Sequence, residues 1–237
     1  MNIKHAIIAA GVAGFAGTHA FAADLLVEDF EDAVVGYTTS TPEFTDNGGD
    51  YFTRTDGSDI GGTYNLPVGS SFFAANDIDG EGAASSQTMT FSAIPIAGFE
   101  NLMFSIFVAE DDDGSSQDWD ADQSFTVDIS IDNGPAVTIF GVESTGGTNT
   151  EPAVDTDLDT VGDGIAITDT FAQFTVPVAG TGSSADITLN FTNFNAGDED
   201  IGIDQVVLSG TVIPEPLTVT AGLLGVGGIM LRRRSAV

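Results

Sequence analysis

Carboxylates gathered into four groups are the residues of this sequence with chemistry to offer: 28–31 together with 197–206, then 76–81, 110–122 and 155–164. Oxygen donors at this density suit hard divalent cations, calcium foremost, which takes about six to eight oxygen ligands. Two carboxyls held across a cleft would instead serve glycosidic-bond hydrolysis. The run Asp155-Thr-Asp157-Leu-Asp159-Thr-Val-Gly-Asp-Gly164 has the alternating rhythm of a calcium loop, and Asp155, Asp157 and Asp159 are its candidate ligands. Leu158 and Thr160 stand where glycines often relieve such a turn. Counted as an EF-hand from Asp111, the run 110–122 has acids at the first, third and twelfth positions. It lacks the glycine at the sixth position and the glutamate at the twelfth, so it is not an EF-hand, although Asp111 and Asp113 remain candidate ligands. The stretch Asn76-Asp-Ile-Asp-Gly-Glu81 reads either as a calcium loop or, slightly better, as an Asx-type turn. Trp119, the single tryptophan, lies inside the third run. It is a candidate glycan platform if its ring is exposed, and a loop anchor if the ring folds inward.

Composition narrows the classes of function. Of the five basic residues only Arg54 lies between positions 23 and 211, against all of the 36 acidic residues except Glu215. Both histidines precede position 23, and the chain has no cysteine. Ser-His-Asp triads, Cys-His nucleophiles, His-ligated zinc and Schiff-base lysines are therefore excluded from the body, as is a disulfide framework. Nucleic acid is excluded as a partner because phosphate binding needs a lysine and arginine footprint. So many like charges oppose a compact state unless a saline habitat or bound cations neutralise them. The body is nonetheless globular, since 42% of the chain is hydrophobic and it holds 17 phenylalanines. Glu81, Glu110 and Glu143 are the candidate acids of a glycosidase or lyase, but no spacing pairs them. One Trp, three Tyr and one body Arg are few for a catalytic cleft. A non-catalytic module is the favoured reading, with a self-associating acidic surface protein as a third.

The elements that must position these groups are strands. The stretches 24–31, 51–52, 71–75, 87–94, 101–109, 125–131, 171–178, 187–191 and 201–208 contribute to an expected total of about ten, and no helical periodicity appears between 23 and 211. In the fifth, Leu102, Phe104, Ile106 and Val108 share a face; in the sixth, Phe125, Val127, Ile129 and Ile131 alternate with polar residues, the period-2 mark of a half-buried strand. Asp132-Asn133-Gly134 predicts a hairpin, with Asn-Gly supplying the positive φ angles of a type I′ turn. Short strands between turn signals argue a single all-β domain over 23–211, a β-sandwich or jelly roll.

The two ends read as targeting segments. A basic start at Lys4, an apolar stretch over 6–17 and Ala20-Phe-Ala22 describe a signal peptide over 1–22, cut by signal peptidase after passage through the export machinery. At the other end stand Pro214-Glu215-Pro216, an uncharged run over 217–231 and Arg232, Arg233 and Arg234. At about 1.5 Å per residue the run reaches roughly 22 Å against about 30 Å of hydrocarbon, short for a permanent transmembrane helix. The arginines keep the C-terminus cytoplasmic while the body is exported. This segment, 212–237, resembles the PEP-CTERM sorting signal of Gram-negative bacteria that make exopolysaccharide, with Ile213 where the family usually has Val. The resemblance implies transient inner-membrane anchoring, processing by an exosortase near the Pro-Glu-Pro triplet, and delivery to the cell surface or biofilm matrix. Glu28-Asp-Phe-Glu31 and Ile203-Asp204-Gln-Val206 are similar to the opening and closing strands of jelly-roll carbohydrate-binding modules. That similarity implies a structural calcium held by Glu31 and Asp204, with Glu28, Glu199 and Asp200 nearby, and extracellular polysaccharide as a partner. The competing reading is that these acids keep edge strands soluble.

Overall fold

The computed structural model describes residues 21–111 and 119–214. Ala20, Asp113, Glu215, Pro216 and Arg232 to Arg234 lie outside the described residues, as do 217–231. Ala22–Val212 form one compact unit. Among the described residues there is no helix, and so none long and apolar enough to cross a membrane.

Thirteen strands form two antiparallel sheets packed as a sandwich. The first sheet runs β11 (Ala172–Val178), β7 (Phe99–Ala109), β13 (Asp200–Val212), β5 (Phe72–Asn76), β4 (Tyr51–Thr55), β3 (Phe44–Thr45), with β1 (Ala22–Glu28) also on β13. The second runs β10 (Pro152–Val154), β9 (Val137–Ser144), β8 (Ser124–Ile131), β12 (Ser184–Thr192), β6 (Gln87–Pro95), β2 (Thr38–Thr39). Period-2 patterning dictates this arrangement. In β8 Phe125, Val127 and Ile129 are buried between half-exposed polar neighbours, and β12 alternates without a break. The expected first strand ends at Glu28, which leaves Glu31 in the following loop. β9, β10, β2 and β3 are absent from the strands read from sequence. The hairpin at 132–134 forms one residue earlier than expected. Asp132 and Asn133 take the positive φ values (51° and 58°), and Gly134 N–H closes the turn on Ile131 O at 2.9 Å.

The core is phenylalanine-rich because two broad faces must be filled from few side chains. Phe191 of the second sheet lies 5.2 Å, ring centre to ring centre, from Phe52 of the first and 5.2 Å from Phe125 of its own. It also approaches Phe73, at 6.0 Å.

β13 is the strand on which most of the first sheet hangs. One edge pairs with β7; the other pairs with β5 along 200–203 and with β1 along 206–211. Ile201 and Ile203 point inward, as do Val206 and Leu208, which requires one extra residue between the pairs. A bulge at 204–207, with Gln205 at φ 42°, supplies it. The bulge leaves Asp204 in the gap where β1 ends and β5 begins. Outside the sheet Tyr64 and Phe171 lie against Gly202, where a Cβ would stand 2.9 Å and 3.0 Å from their rings. This second, smaller apolar cluster explains why the first five residues of β13 are all buried.

Replacing Phe191 by alanine removes the ring that joins the two sheets. Urea unfolding should show a loss of about 3–5 kcal/mol; a loss below about 1 kcal/mol would mean that the aromatic cluster does not hold the sandwich.

Candidate functional site

Two groups of three carboxylates, Asp155, Asp157 and Asp159, and Asp46, Asp50 and Glu81, have ligand oxygens that all lie within 4.8 Å of one another and could hold a metal ion. The first was legible in the sequence. It is built by β9 and β10, in which Ala153 pairs with Glu143 and Val154 with Val142, while Asp155 N–H donates to Gly141 O at 3.0 Å. Opposed residues share a face, so Gly141, Glu143 and Asp155 stand together on one side of the sheet. The chain then leaves β10 and folds back over that face, with Gly162 N–H donating to Ser144 O at 2.9 Å. A Cβ on Gly162 would stand 2.4 Å from Glu143 O, so only glycine permits the return. Asp155 shapes the loop by accepting N–H groups of Leu158 (2.7 Å), Asp159 (3.3 Å) and Thr160 (2.8 Å). Leu158 (φ 59°) and Thr160 (φ 78°), at the positions where a calcium loop often has glycine, are both left-handed. The like charge of Asp159, and less so burial and the charges of Asp163 and Asp155, raises the pKa of Asp157. Burial, with Asp155 adding its charge, pushes Glu143 up to about 7.

The second group joins the turn 46–50 to the loop 77–81, which meet because Tyr51 and Asn76 pair at the ends of β4 and β5. Asp46 Oδ1 accepts the N–H of Gly48 (2.6 Å) and of Asp50 (3.2 Å). Asp77 is driven up to about 6 by burial, then by the charge of Asp50 and a side-chain hydrogen bond to Asp79. The sequence offered 76–81 as a turn or a calcium loop but carried no signal that Asp46 and Asp50 would face it.

The remaining candidates hold backbone rather than one another. Glu28 accepts N–H groups of Phe30 (3.1 Å) and Gly36 (2.8 Å). Glu31 accepts those of Ser70 (2.6 Å) and Ser71 (2.8 Å), Ser70 N–H foremost, which lowers its pKa. Asp204, buried in the gap of the bulge, accepts Val68 N–H at 2.7 Å and Gln205 N–H at 2.7 Å. Burial brings Asp204 up to about 6, with Glu31 and Asp29 adding their charges. The structure thus gathers Glu31 and Asp204 at one junction of β1, β5 and β13, while the carboxylates themselves are occupied by N–H donors. Glu199 accepts Asn195 N–H (2.6 Å) and Ala196 N–H (3.0 Å), and burial still carries it to about 7. Asp200, 5% exposed, accepts Tyr64 O–H at 2.6 Å and Asp111 N–H at 2.8 Å. Burial, only partly offset by those two bonds, lifts it to about 7.

Trp119 is not a platform for sugar. Its side chain is 0% exposed, its indole N–H donates to Asp200 O at 3.1 Å, and its ring meets Phe194 edge-on at 5.1 Å. Paired with Thr150 through two 3.0 Å backbone hydrogen bonds, it is the loop anchor of the alternative reading. An indole beside carboxylates in sequence could not reveal its depth, because the partners that bury it, Thr150, Phe194 and Asp200, come from distant segments.

Between β9 and β11, where the two sheets part, runs an apolar groove of about 570 Å³ lined by Ile129, Ile131, Pro135, Val137 and Val176, with no acidic residue in its lining. A second hollow of about 310 Å³, lined by Phe140, Val154, Asp155 and Phe174, adjoins it. Ile139, Leu158 and Val176 line both.

Of the described carboxyls held above their ordinary range, five are shifted furthest: Glu143, Glu199 and Asp200 at about 7, Asp77 and Asp204 at about 6. In the unfolded chain they titrate near 4. The fold binds these protons more tightly, so their contribution is fully present below about pH 4 and is lost as pH rises through 6 to 7. In chelator at low salt the melting temperature should be higher at pH 5 than at pH 8. A flat or reversed profile would show that these groups are not buried as described.

No known protein family and no curated protein matches the sequence. Among solved structures, the CBM22-1 xylan-binding domain of Paenibacillus barcinonensis Xyn10C is similar at TM-score 0.43 and 12% identity, over 81% of this chain and 96% of that one. The CBM22-1 and GH10 modules of Clostridium thermocellum endo-1,4-beta-D-xylanase 10B, complexed with xylohexaose, are similar at 0.44 and 11%, over 79% of this chain and 28% of that one. The K3 cleaved adhesin domain of Lys-gingipain from Porphyromonas gingivalis is similar at 0.41 and 18%, over 80% of this chain and 99% of that one.

Proposed function

We propose that this chain is an exported, non-catalytic, calcium-braced β-sandwich of the cell surface or extracellular matrix of a Gram-negative bacterium, associated with extracellular polysaccharide. The observation that carries the non-catalytic reading is where the acids meet. Among the described residues they converge in loops at strand ends, bonded to the backbone of those loops, while the larger apolar groove has no acid in its lining. A glycosidase needs two carboxyls facing one another about 5–9.5 Å apart with room for substrate between them. Asp200, an acid with a pKa near neutrality, is closed over by Tyr64 and the Asp111 backbone.

Calcium is the ion of choice because the body offers carboxylate and carbonyl oxygen and no imidazole or thiolate. Export and sorting are supported by the signal peptide over 1–22 and the PEP-CTERM-like end, with signal peptidase and an exosortase as the processing partners. Association with polysaccharide is supported by the resemblance of that end to signals of exopolysaccharide producers and by the similarity of the opening and closing strands to carbohydrate-binding modules. With Trp119 buried, a glycan cannot stack on its indole, and hydrogen-bonding side chains and bound cations are the contacts this reading favours.

Millimolar calcium, at about a hundredfold excess over its Kd, should raise the melting temperature at low salt and pH 8 by roughly 5–10 °C. It should also be needed for co-sedimentation with exopolysaccharide, without release of reducing ends. An equal shift from sodium chloride alone would make the acids a halophilic surface, and released reducing ends would make the protein an enzyme. Sorting has its own test: with alanines at Pro214, Glu215 and Pro216 the protein should accumulate in the inner membrane, and undiminished release would overturn the exosortase route.

A further inference from the structure

Asn76 carries a buried acceptor that the fold does not satisfy. The residue closes β5, is 4% exposed, and pairs with Tyr51 of β4 on one side and Asp200 of β13 on the other. Its Nδ2 donates to Gly197 O at 3.3 Å, and because only the N–H side of an amide can face a carbonyl, that bond fixes the direction of Oδ1. Among the described residues Oδ1 is buried and accepts no hydrogen bond. It faces the 46–50 turn: a Cβ on Gly49 would have Oδ1 at 4.0 Å and, apart from the adjacent residues, no other described atom within that distance. Gly49 lies between Asp46 and Asp50, two of the three acids whose oxygens converge with those of Glu81. Asp50 in turn lies across the 77–81 loop, where a Cβ on Gly80 would collide with its carboxylate, so glycine permits the approach. The Asp77 carboxyl, beside both Asp50 and Asp79, adds to the negative field. The single base of the body, Arg54, is occupied elsewhere with Asp32 O. A buried amide oxygen without a donor loses its hydration and gains nothing in return unless a cation meets it.

We infer that Asn76 Oδ1 completes a divalent-cation site with Asp46, Asp50 and Glu81, and that the ion ties together three loops at one end of the sandwich. This assignment rests on the calcium-braced reading above and goes further in naming a site and what it holds. The ligands are graded by depth: Asp46 and Glu81 are exposed, Asp50 is half-buried and Asn76 is buried. An ion therefore enters from solvent and meets a neutral oxygen on the inner side. Three carboxylates and an amide carbonyl, with positions left for water, suit calcium, which takes about six to eight oxygens in flexible geometry; magnesium demands a near-ideal octahedron, and zinc and copper favour nitrogen or sulfur. The three loops are 46–50, 76–81 and 193–199. The last is reached through Asn76 Nδ2 on Gly197 O and, separately, through Ile78 N–H on Phe194 O at 2.9 Å. A cation on Oδ1 polarises the amide and strengthens its bond to Gly197. Phe194 packs edge-on against the buried Trp119, so the ion braces the loop on which that indole rests.

The test is calorimetric titration of the intact protein with calcium at pH 8, alongside limited proteolysis within 77–82. Asn76→Ala and the double variant Asp46→Asn, Glu81→Gln are compared with the unaltered protein. The alanine should weaken one class of site by about tenfold or more, and the double variant should bind one ion fewer. Calcium near the parent's Kd should slow cleavage of the loop in the unaltered protein and in neither variant. In chelator the double variant should melt no lower than the parent, because it removes two exposed like charges from a crowded corner. This separates ligands from residues needed merely for folding. Calcium bound with unchanged number and affinity by either variant would overturn this site while leaving calcium bracing elsewhere in the fold. No binding by the parent protein would overturn both.

Discussion

An acid that leaves water in this protein has almost no cation to meet. The chain carries 36 acidic residues, and Arg54 is the single base of the body. Backbone N–H groups are the donors left, and the fold uses them repeatedly: Glu28 on Phe30 and Gly36, Asp204 on Val68 and Gln205, Glu199 on Asn195 and Ala196, Asp155 on three successive residues of its loop. Each bond costs the carboxylate its hydration and returns only the partial charge of an amide. The balance is visible in Glu199 and Asp204, which burial holds above the ordinary carboxylate range despite two N–H donors each. Carboxylates here organise loops, and the loops in turn present what charge remains. Neutralisation by protons or by cations is thus a condition of the compact state and links its stability to its surroundings.

The same constraint explains the layout of the sheets. Apolar side chains fill the space between them almost entirely with Phe, Ile, Leu and Val, so acids are pushed to strand ends, to loops and to the bulge of β13. The bulge shows the two demands meeting at one residue. Ile201 and Ile203, then Val206 and Leu208, face inward only if one residue is skipped, and the skipped position carries Asp204 into the gap between β1 and β5. There its carboxylate ties the 66–71 segment to the closing strand through Val68, while Glu31 ties the same segment to the opening loop through Ser70 and Ser71. The similarity of the terminal strands to carbohydrate-binding modules led to an ion at this junction. At that junction Glu31 and Asp204 come together, each with oxygens on backbone N–H groups.

The loop 155–164 is the inverse case. It too is shaped by a carboxylate on amides, but it covers Glu143, for which no amide is supplied, and it borders the apolar groove between the parting sheets. A rigid β scaffold, a carboxylate cluster and a hydrophobic recess are joined there through a single leucine, Leu158. The other cluster, at Asp46, Asp50 and Glu81, joins two loops that meet at the paired ends of β4 and β5.

How much was legible in advance follows from the range of the forces involved. Alternation of apolar and polar residues is a local property, and it announced β6, β7, β8, β12 and β13 and the sandwich they form. The Asp-x-Asp-x-Asp rhythm of 155–159 is equally local, as is the absence of His, Cys and Lys from the body, which removes whole classes of chemistry by composition alone. β9, β10, β2, β3 and the one-residue shift of the hairpin at 132–134 escaped; β2, β3 and β10 are so short that their partners decide them rather than their own sequence. The depth of Trp119, the facing of Asp46 and Asp50 onto Glu81, and the burial of Glu143 beneath a loop that follows it in sequence belong to tertiary structure alone. Each depends on which distant segment arrives alongside, and burial is a property of neighbours that no spacing along one chain encodes.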